Sequence, residues 1–268
     1  MREIERGTPY LSVVMPAYNE ETTIEKVAGQ VLELPFVRAL VIVDDHSTDR
    51  TSEIIAGLVN RDSRVIHARH EQNAGKTSAL KTGFALTTGD IVIIQDADLE
   101  YDPSEIAGVI DPILTNRADV VYGSRFMVKK AARVLYFSHY AANKTLTFLS
   151  NCLTNLNMSD IETCYKAFRG DVIRNMIITS SGFGFEVEVT AKIAKLKCAV
   201  YEVPISYYGR TYEEGKKIGV SDGISALWYI LKFNLTSSVE NSFRQRPSIL
   251  SNGPVQPFPE KALSKSAR

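Results

Sequence analysis

The chain is poor in cysteine. It has three, Cys152, Cys164 and Cys198, scattered and odd in number. Neither a disulfide framework nor a zinc cluster is therefore expected, and a reducing, cytoplasmic setting fits. Net charge is missing too. Lys plus Arg and Asp plus Glu number 31 each, so no global field argues for nucleic acid, and no nucleic-acid partner is expected. Long apolar runs are also lacking. The longest near the C-terminal end, ISALWYILKF, is about half of what a membrane span needs. The opening MREIERGTPY holds no apolar core, so no signal peptide is expected. His46, His67, His70 and His139 have no metal-ligand spacing, and no Ser-His-Asp logic is legible. No repeat of fixed period occurs.

What is present suffices for a core. The hydrophobic fraction is 44% over 268 residues, which suits one large α/β domain or a domain with a tail. YLSVVMPAYNE reads as a short strand stopped by Pro16, and ETTIEKVAGQVLEL follows with helical spacing at Ile24, Val27, Val31 and Leu32. RALVIVDDHSTD is a second buried strand, and RTSEIIAGLVNR a helix that Asp49 or Thr51 can cap. SRVIHARH, GKTSALKTGFALTTG and DIVIIQDAD continue the alternation as strand, helix, strand. Near-continuous apolar strands alternating with helices predict a mostly parallel, Rossmann-like sheet flanked by helices. ADVVYGSRF is a fifth strand, RVLYFSHYAANKTLTFLSNCLTNL a long amphipathic helix, FGFEVEVTAKIAKL another helix and CAVYEVPISYYGR a late strand. From about Thr236 the chain loses periodicity and carries five basic and two acidic residues. This divides the chain into a domain at 1–235 and a flexible tail at 236–268.

In such sheets ligands sit at the carboxyl ends of the strands. The first strand ends in PAYNE, the second in DDHSTD and the fourth in DADLE, so three polar clusters converge on one edge. Asp96 and Asp98, one residue apart at a strand end, suit one hard divalent cation, Mg²⁺ or Mn²⁺. Asp102 precedes a proline and reads as a turn or helix cap. NAGKTSAL contains Gly75-Lys76-Thr77, but a phosphate-binding P-loop needs glycine five positions before Gly75, where His70 stands. A Gly-Lys turn opening a helix near a nucleotide remains. YYGRTYEEGKKIGVSDG carries Arg210, Lys216 and Lys217 on a glycine-broken loop suited to closing over an anion.

VVMPAYNE, VIVDDHSTDRT, NAGKTSALKTGF, DADLEYDP, YGSRF, ETCYKAFR and FGFEVEVTAKIAKL with YEVPISYYGRTYEEGKKI follow in order from about Leu11 to Phe233. Together they resemble the inverting family 2 glycosyltransferases of GT-A fold. Within these the chain is most similar to the dolichyl- or polyprenyl-phosphate mannosyl- and glucosyltransferase branch. The resemblance implies a nucleotide-sugar donor of GDP-mannose or UDP-glucose type and a polyprenyl or dolichyl phosphate acceptor. It implies that Pro16, Tyr18, Glu20 and Asp45 hold base and ribose, with Lys76 and Ala97 also on the donor. Asp96 and Asp98 would bind the metal, with Glu100 as third ligand. Arg125 would meet the acceptor phosphate or the donor diphosphate, and Asp160 stands where relatives place a candidate catalytic base. Arg210, Lys216 and Lys217 would close over phosphates. Asp160, Arg125 and Asp98 form the implied catalytic set. Many bacterial relatives carry C-terminal transmembrane helices. This chain ends in a polar tail, so peripheral membrane contact would fall to the 133–156 region, the 224–235 helix or the basic tail. Two other readings remain open: a soluble transferase with a glycan or small-molecule hydroxyl acceptor, and an inactive nucleotide-sugar-binding protein.

Overall fold

The computed structural model describes residues 10–127, 133, 136–182, 184–209 and 220–250. The elements run β1 (Leu11–Ala17), α1 (Ile24–Leu32), β2 (Val37–Asp44), α2 (Thr51–Arg61), β3 (Val65–Arg69), α3 (Lys76–Leu86) and β4 (Ile91–Ile94). Then come α4 (Ile106–Leu114), β5 (Val120–Ser124), α5 (Phe137–Thr154), β6 (Lys166–Arg169) and α6 (Gly170–Asn175). The described chain continues through α7 (Phe185–Leu196), β7 (Val200–Pro204), α8 (Val220–Thr236) and α9 (Val239–Ser242). One seven-stranded sheet has the order β3-β2-β1-β4-β6-β5-β7. Every strand pair is parallel except those of β6, which runs antiparallel to both β4 and β5.

The central strands form because they are apolar on both faces. Val13, Val14, Met15 and the run Leu40–Val43 are fully buried, and burying each such side chain stabilises by about 1.5–3 kcal/mol. One core layer places α1, α2 and α4 on the sheet through Ile24, Val27, Ile55, Val109 and Ile110. The other places α3, α7 and α8 through Leu80, Phe84, Val189 and Ile230. The expected α1 face holds at Ile24, Val27 and Val31, which are buried, while Leu32 is only partly buried and Ala28 takes the fourth buried place.

Pro16 does not stop β1. The strand pairs with β2 as far as Ala17↔Asp44, while its pairing with β4 ends at Val14↔Ile94. Ala17 O accepts from Asp45 N on one side, and Val14 O from Gln95 N on the other. Alternation then points Pro16 at the side where β4 has already ended, so its missing N–H costs the ladder nothing.

Two further features depart from the sequence reading. β6 was not legible as a strand, because it is four residues long and carries Lys166 and Arg169. Lys166 is fully buried, with its ammonium donating to Ile161 O at 3.0 Å and to Thr163 O. The flexible tail does not begin at 236. Ser238 caps α9 with a capping box, Phe243 is buried and bridges to Met176, and Leu250 N donates to Asp119 Oδ1 at 3.0 Å. Residues 236–250 are therefore part of the packed domain, and 251–268 lie outside the described residues.

Candidate active site

Strand order reverses at β1, which lies between β2 and β4, and the carboxyl ends of these strands frame the crevice expected of such a sheet. The antiparallel β6 adds to this edge in the opposite sense. Its amino end lies beside the carboxyl ends of β4 and β5, so the segment Asp160–Cys164 arrives where Asp96 and Arg125 leave.

On the β1–β2 side the loops tie each other down. Asn19, in the left-handed region at φ 53°, donates its N–H to Ser47 Oγ at 3.0 Å and accepts from Thr48 N at 2.8 Å. Glu20 is mostly buried. Its N–H donates to Thr51 Oγ1 at 2.8 Å, and its carboxylate accepts from Thr23 Oγ1 at 2.9 Å. Tyr18 is partly exposed on the same edge, beside the partly buried Pro16. Asp45 is spent on architecture. Its Oδ1 lies 2.6 Å from His70 Nδ1 and 3.0 Å from Ala74 N, and its Oδ2 lies 2.7 Å from Gly75 N. His70 Nε2 in turn meets Thr82 Oγ1 at 2.9 Å. The residue that breaks the P-loop pattern thus braces the turn that opens α3, a role its sequence spacing does not signal.

That turn aims Lys76. Its Nζ lies 3.0 Å from both oxygens of Asp96, with hydrogen-bond geometry only to Oδ2. It also lies 2.8 Å from Cys164 Sγ and 3.9 Å from Glu186 Oε1. Burial opposes the ammonium's charge, but the Asp96 carboxylate, with Glu186 behind it, outweighs burial and holds its pKa well above the ordinary lysine value. Burial, with Asp96 next, pushes the Cys164 thiol far up, so this cysteine is no nucleophile at neutral pH.

Asp96 and Asp98 leave β4 as expected. Asp96 Oδ1 is buried and has no hydrogen-bond partner, and hard carboxylate oxygens suit Mg²⁺ or Mn²⁺. The pair therefore fits a divalent ion that completes its shell with waters and phosphate oxygens. Among the described residues no three His, Cys, Asp or Glu side chains converge as a ready-made cage. Glu100 is engaged elsewhere: its Oε2 accepts from Tyr207 OH at 2.9 Å, and its N–H donates to Asp98 Oδ1 at 3.1 Å. Ala97, expected on the donor, has its side chain in the core with Tyr101 and Tyr165, so only its backbone is available there. Asp102 is the cap it was read as, accepting from Ser104 N at 2.9 Å.

On the β5–β6 side Arg125 and Asp160 form a bidentate pair, with Nε–Oδ2 at 2.7 Å and Nη2–Oδ1 at 2.8 Å. Asp160 is fully buried. Burial works against its charge, but Arg125 keeps its carboxyl below the usual range. The Arg125 guanidinium lies over the Tyr207 ring at 5.1 Å, which links it to Glu100. Lys144 on α5 adds a second cation. Its Nζ lies 4.3 Å from the Phe126 ring centre and donates to Ser159 O at 3.0 Å. Glu202 fixes the loop, accepting from Ser159 N at 2.9 Å and Asp160 N at 3.1 Å. Glu162, in the same segment, has a buried Oε1 with no partner. Burial, then Glu186, raises its carboxyl from 4.5 to about 7.

Lys144, Glu162, Glu186 and Glu202 were missed from sequence. Glu162 and Glu186 stand inside the motifs ETCYKAFR and FGFEVEV; Glu186, set between Phe185 and Val187, carried the signal of an acid among apolar residues, and Glu162, followed by Thr163, carried none. Lys144 was hidden in an amphipathic helix. Arg210, Lys216 and Lys217 lie outside the described residues.

The profile of the family described as Glycosyl transferase family 2 matches residues 12–177. Polyprenol monophosphomannose synthase of Mycolicibacterium smegmatis is 28% identical over 221 residues, which span 80% of this chain and 83% of that one. Undecaprenyl-phosphate mannosyltransferase of Micrococcus luteus is 27% identical over 212 residues, spanning 77% and 86%. Among solved structures, glucosyl-3-phosphoglycerate synthase of Mycobacterium tuberculosis with uridine diphosphate superposes with a TM-score of 0.67 at 21% identity. The match covers 86% of this chain and 82% of that one. The architecture shared with it is the GT-A fold.

Proposed function

We propose that this chain, which belongs to glycosyl transferase family 2, transfers a hexose from a nucleoside diphosphate sugar to the phosphate of a polyprenyl or dolichyl phosphate, with inversion. The observation that carries the reading is the state of Asp160. A sugar hydroxyl acceptor needs a general base, and a carboxylate clamped by two guanidinium N–H groups below its ordinary pKa is a poor one. A phosphate is already anionic near neutral pH, its second pKa being roughly 6. It needs cations, and Arg125 and Lys144 supply them beside the Asp160 segment. The acceptors named for the relatives point the same way.

In this reading Asp96 and Asp98 would hold Mg²⁺ or Mn²⁺, which offsets the charge developing on the leaving diphosphate. Tyr18 and Glu20, just beyond the carboxyl end of β1, face the nucleoside, and Asp45 serves it by fixing the Ala74–Gly75 turn. Arg125 holds the acceptor phosphate, with Asp160 keeping the guanidinium in place. One displacement at the anomeric carbon inverts its configuration. Arg210, Lys216 and Lys217 remain candidates for closing over the phosphates.

The acceptor's chain calls for a lipid surface, and α5 with α8 offers one. Phe137 is 79% exposed, Trp228 63% and Leu235 75%, and exposed apolar patches of this kind mark interaction sites. Among the described residues no helix is long and apolar enough to cross a membrane, so contact would be peripheral. The deciding experiment is a panel of radiolabelled GDP- and UDP-sugars incubated with undecaprenyl or dolichyl phosphate. Label entering the lipid phase is expected. Label passing only to a water-soluble hydroxyl acceptor would sink the proposal.

A further inference from the structure

Lys76 sits where a divalent ion would compete with it. Its ammonium is 3.0 Å from both oxygens of Asp96, one of the two carboxylates that fit the metal. Its backbone cannot follow a ligand. Lys76 opens α3 directly after Gly75, whose N–H and that of Ala74 are held by Asp45, so only the side chain is free to swing.

Two cations within a few ångströms of one carboxylate repel strongly at low dielectric. A metal arriving alone must either share Asp96 with the ammonium or push it toward Glu186, already 3.9 Å away, with no anion added to the site. A metal arriving with a diphosphate supplies that anion. We infer that Lys76 is a resident counter-ion of Asp96 that metal and diphosphate displace together, moving from the carboxylate to a phosphate oxygen. The metal then binds well only in company with the nucleotide, and by reciprocity the nucleotide binds well only with the metal. The donor-free protein gains from this, since Asp96 is never left as a bare buried charge. The inference rests on the proposed metal role of Asp96 and Asp98.

The test titrates Mn²⁺ into the full chain by electron paramagnetic resonance, alone and with UDP or GDP. For the parent, diphosphate is expected to tighten Mn²⁺ binding by about tenfold or more, within the usual range of coupling between sites. Lys76→Met should bind Mn²⁺ alone about tenfold more tightly than the parent, and the gain from diphosphate should shrink to roughly threefold or less. Lys76→Arg, which keeps the charge, should behave like the parent. If Lys76→Met binds Mn²⁺ alone no more tightly than the parent, the inference is overturned. If the parent binds no Mn²⁺ even with diphosphate, the metal role itself falls and this inference with it.

A second readout needs no variant. Acetylation of Lys76 by acetic anhydride, followed by peptide mass mapping, should speed up with Mn²⁺ alone and slow again when diphosphate is added. A rate that ignores both additions would also overturn it.

Discussion

Arg125 grips Asp160 through two parallel side-chain bonds of 2.7 and 2.8 Å, and its backbone N–H adds a third at 3.1 Å. A carboxylate held this way orients its partner and has little left to accept a proton.

This relationship ranks two substitutions. Asp160→Asn keeps shape and one acceptor, so it should loosen Arg125 without removing it. The expected result is a raised KM for the lipid phosphate and a kcat reduced by roughly tenfold, as for a lost positioning interaction. Asp98→Asn removes a metal carboxylate and should cost about 10²–10³ in kcat, the scale of a lost transition-state electrostatic contact. Steady-state kinetics on both variants check the order. Loss of all turnover in Asp160→Asn with acceptor binding intact would restore Asp160 as a base and undo the phosphate-acceptor argument.

How much of this was legible in the sequence follows from what periodicity can carry. β1, β2 and β4 were readable because burial on both faces writes an unbroken apolar run. β6 was not, because a short strand with a buried lysine whose ammonium folds back onto loop carbonyls looks polar. Its direction mattered most for function, since an antiparallel strand delivers its amino end to the site. The acids at strand ends were visible, but their division of labour was not. Asp45 bonds the N–H groups of residues 29 and 30 positions away, and Glu100 meets Tyr207 across 107. Such partners depend on the fold, not on spacing.

Glu162 should make stability pH-dependent. Its carboxyl is raised from 4.5 to about 7 by burial first and by Glu186 next. The folded state therefore holds its proton more tightly than the unfolded chain. No penalty exists below about pH 4.5, where both states are protonated. It grows as pH rises and is complete above about 7. Glu162→Gln should thus match the parent in urea unfolding at pH 4.5. At pH 8 it should be more stable, by at most about 3 kcal/mol. Equal midpoints at both pH values would contradict this.

Gly75 and Gly29 should answer the same substitution with opposite signs. Gly75 has φ 85° and ψ 163°, a region open essentially to glycine alone, where a side chain costs about 1–3 kcal/mol. Space is not the obstacle, since an added Cβ would meet Gly182 no closer than 3.7 Å. Gly75→Ala should lower stability and, by disturbing the turn held by Asp45, raise the KM for the donor. Gly29 lies within α1 with open space around it, so Gly29→Ala should stabilise by about 0.5–1 kcal/mol and leave kinetics alone. Urea midpoints and donor titrations read both effects.

The apolar face of α8 gives the membrane prediction. Ala226, Ile230 and Phe233 are buried on one side of this helix, while Ile224, Leu227, Trp228, Leu231 and Leu235 are exposed on the other. The exposed set follows i, i+3, i+4, i+7 and i+11, a stripe that a water-facing helix would fill with polar residues. α8 packs against α5, whose exposed Phe137, Tyr140 and Phe148 extend the apolar surface from a second helix. The triple substitution Ile224→Ser, Trp228→Ser and Leu235→Ser changes only exposed positions and should leave the fold intact. Flotation with anionic phospholipid vesicles should show binding weakened by about tenfold or more, since each 1.4 kcal/mol of lost burial is a factor of ten. Turnover of a long-chain polyprenyl phosphate presented in vesicles should fall in step. Turnover of a short, water-soluble prenyl phosphate should not change, because Arg125 and Lys144 are untouched. If the triple variant still floats with the vesicles as the parent does, α8 is not the docking face.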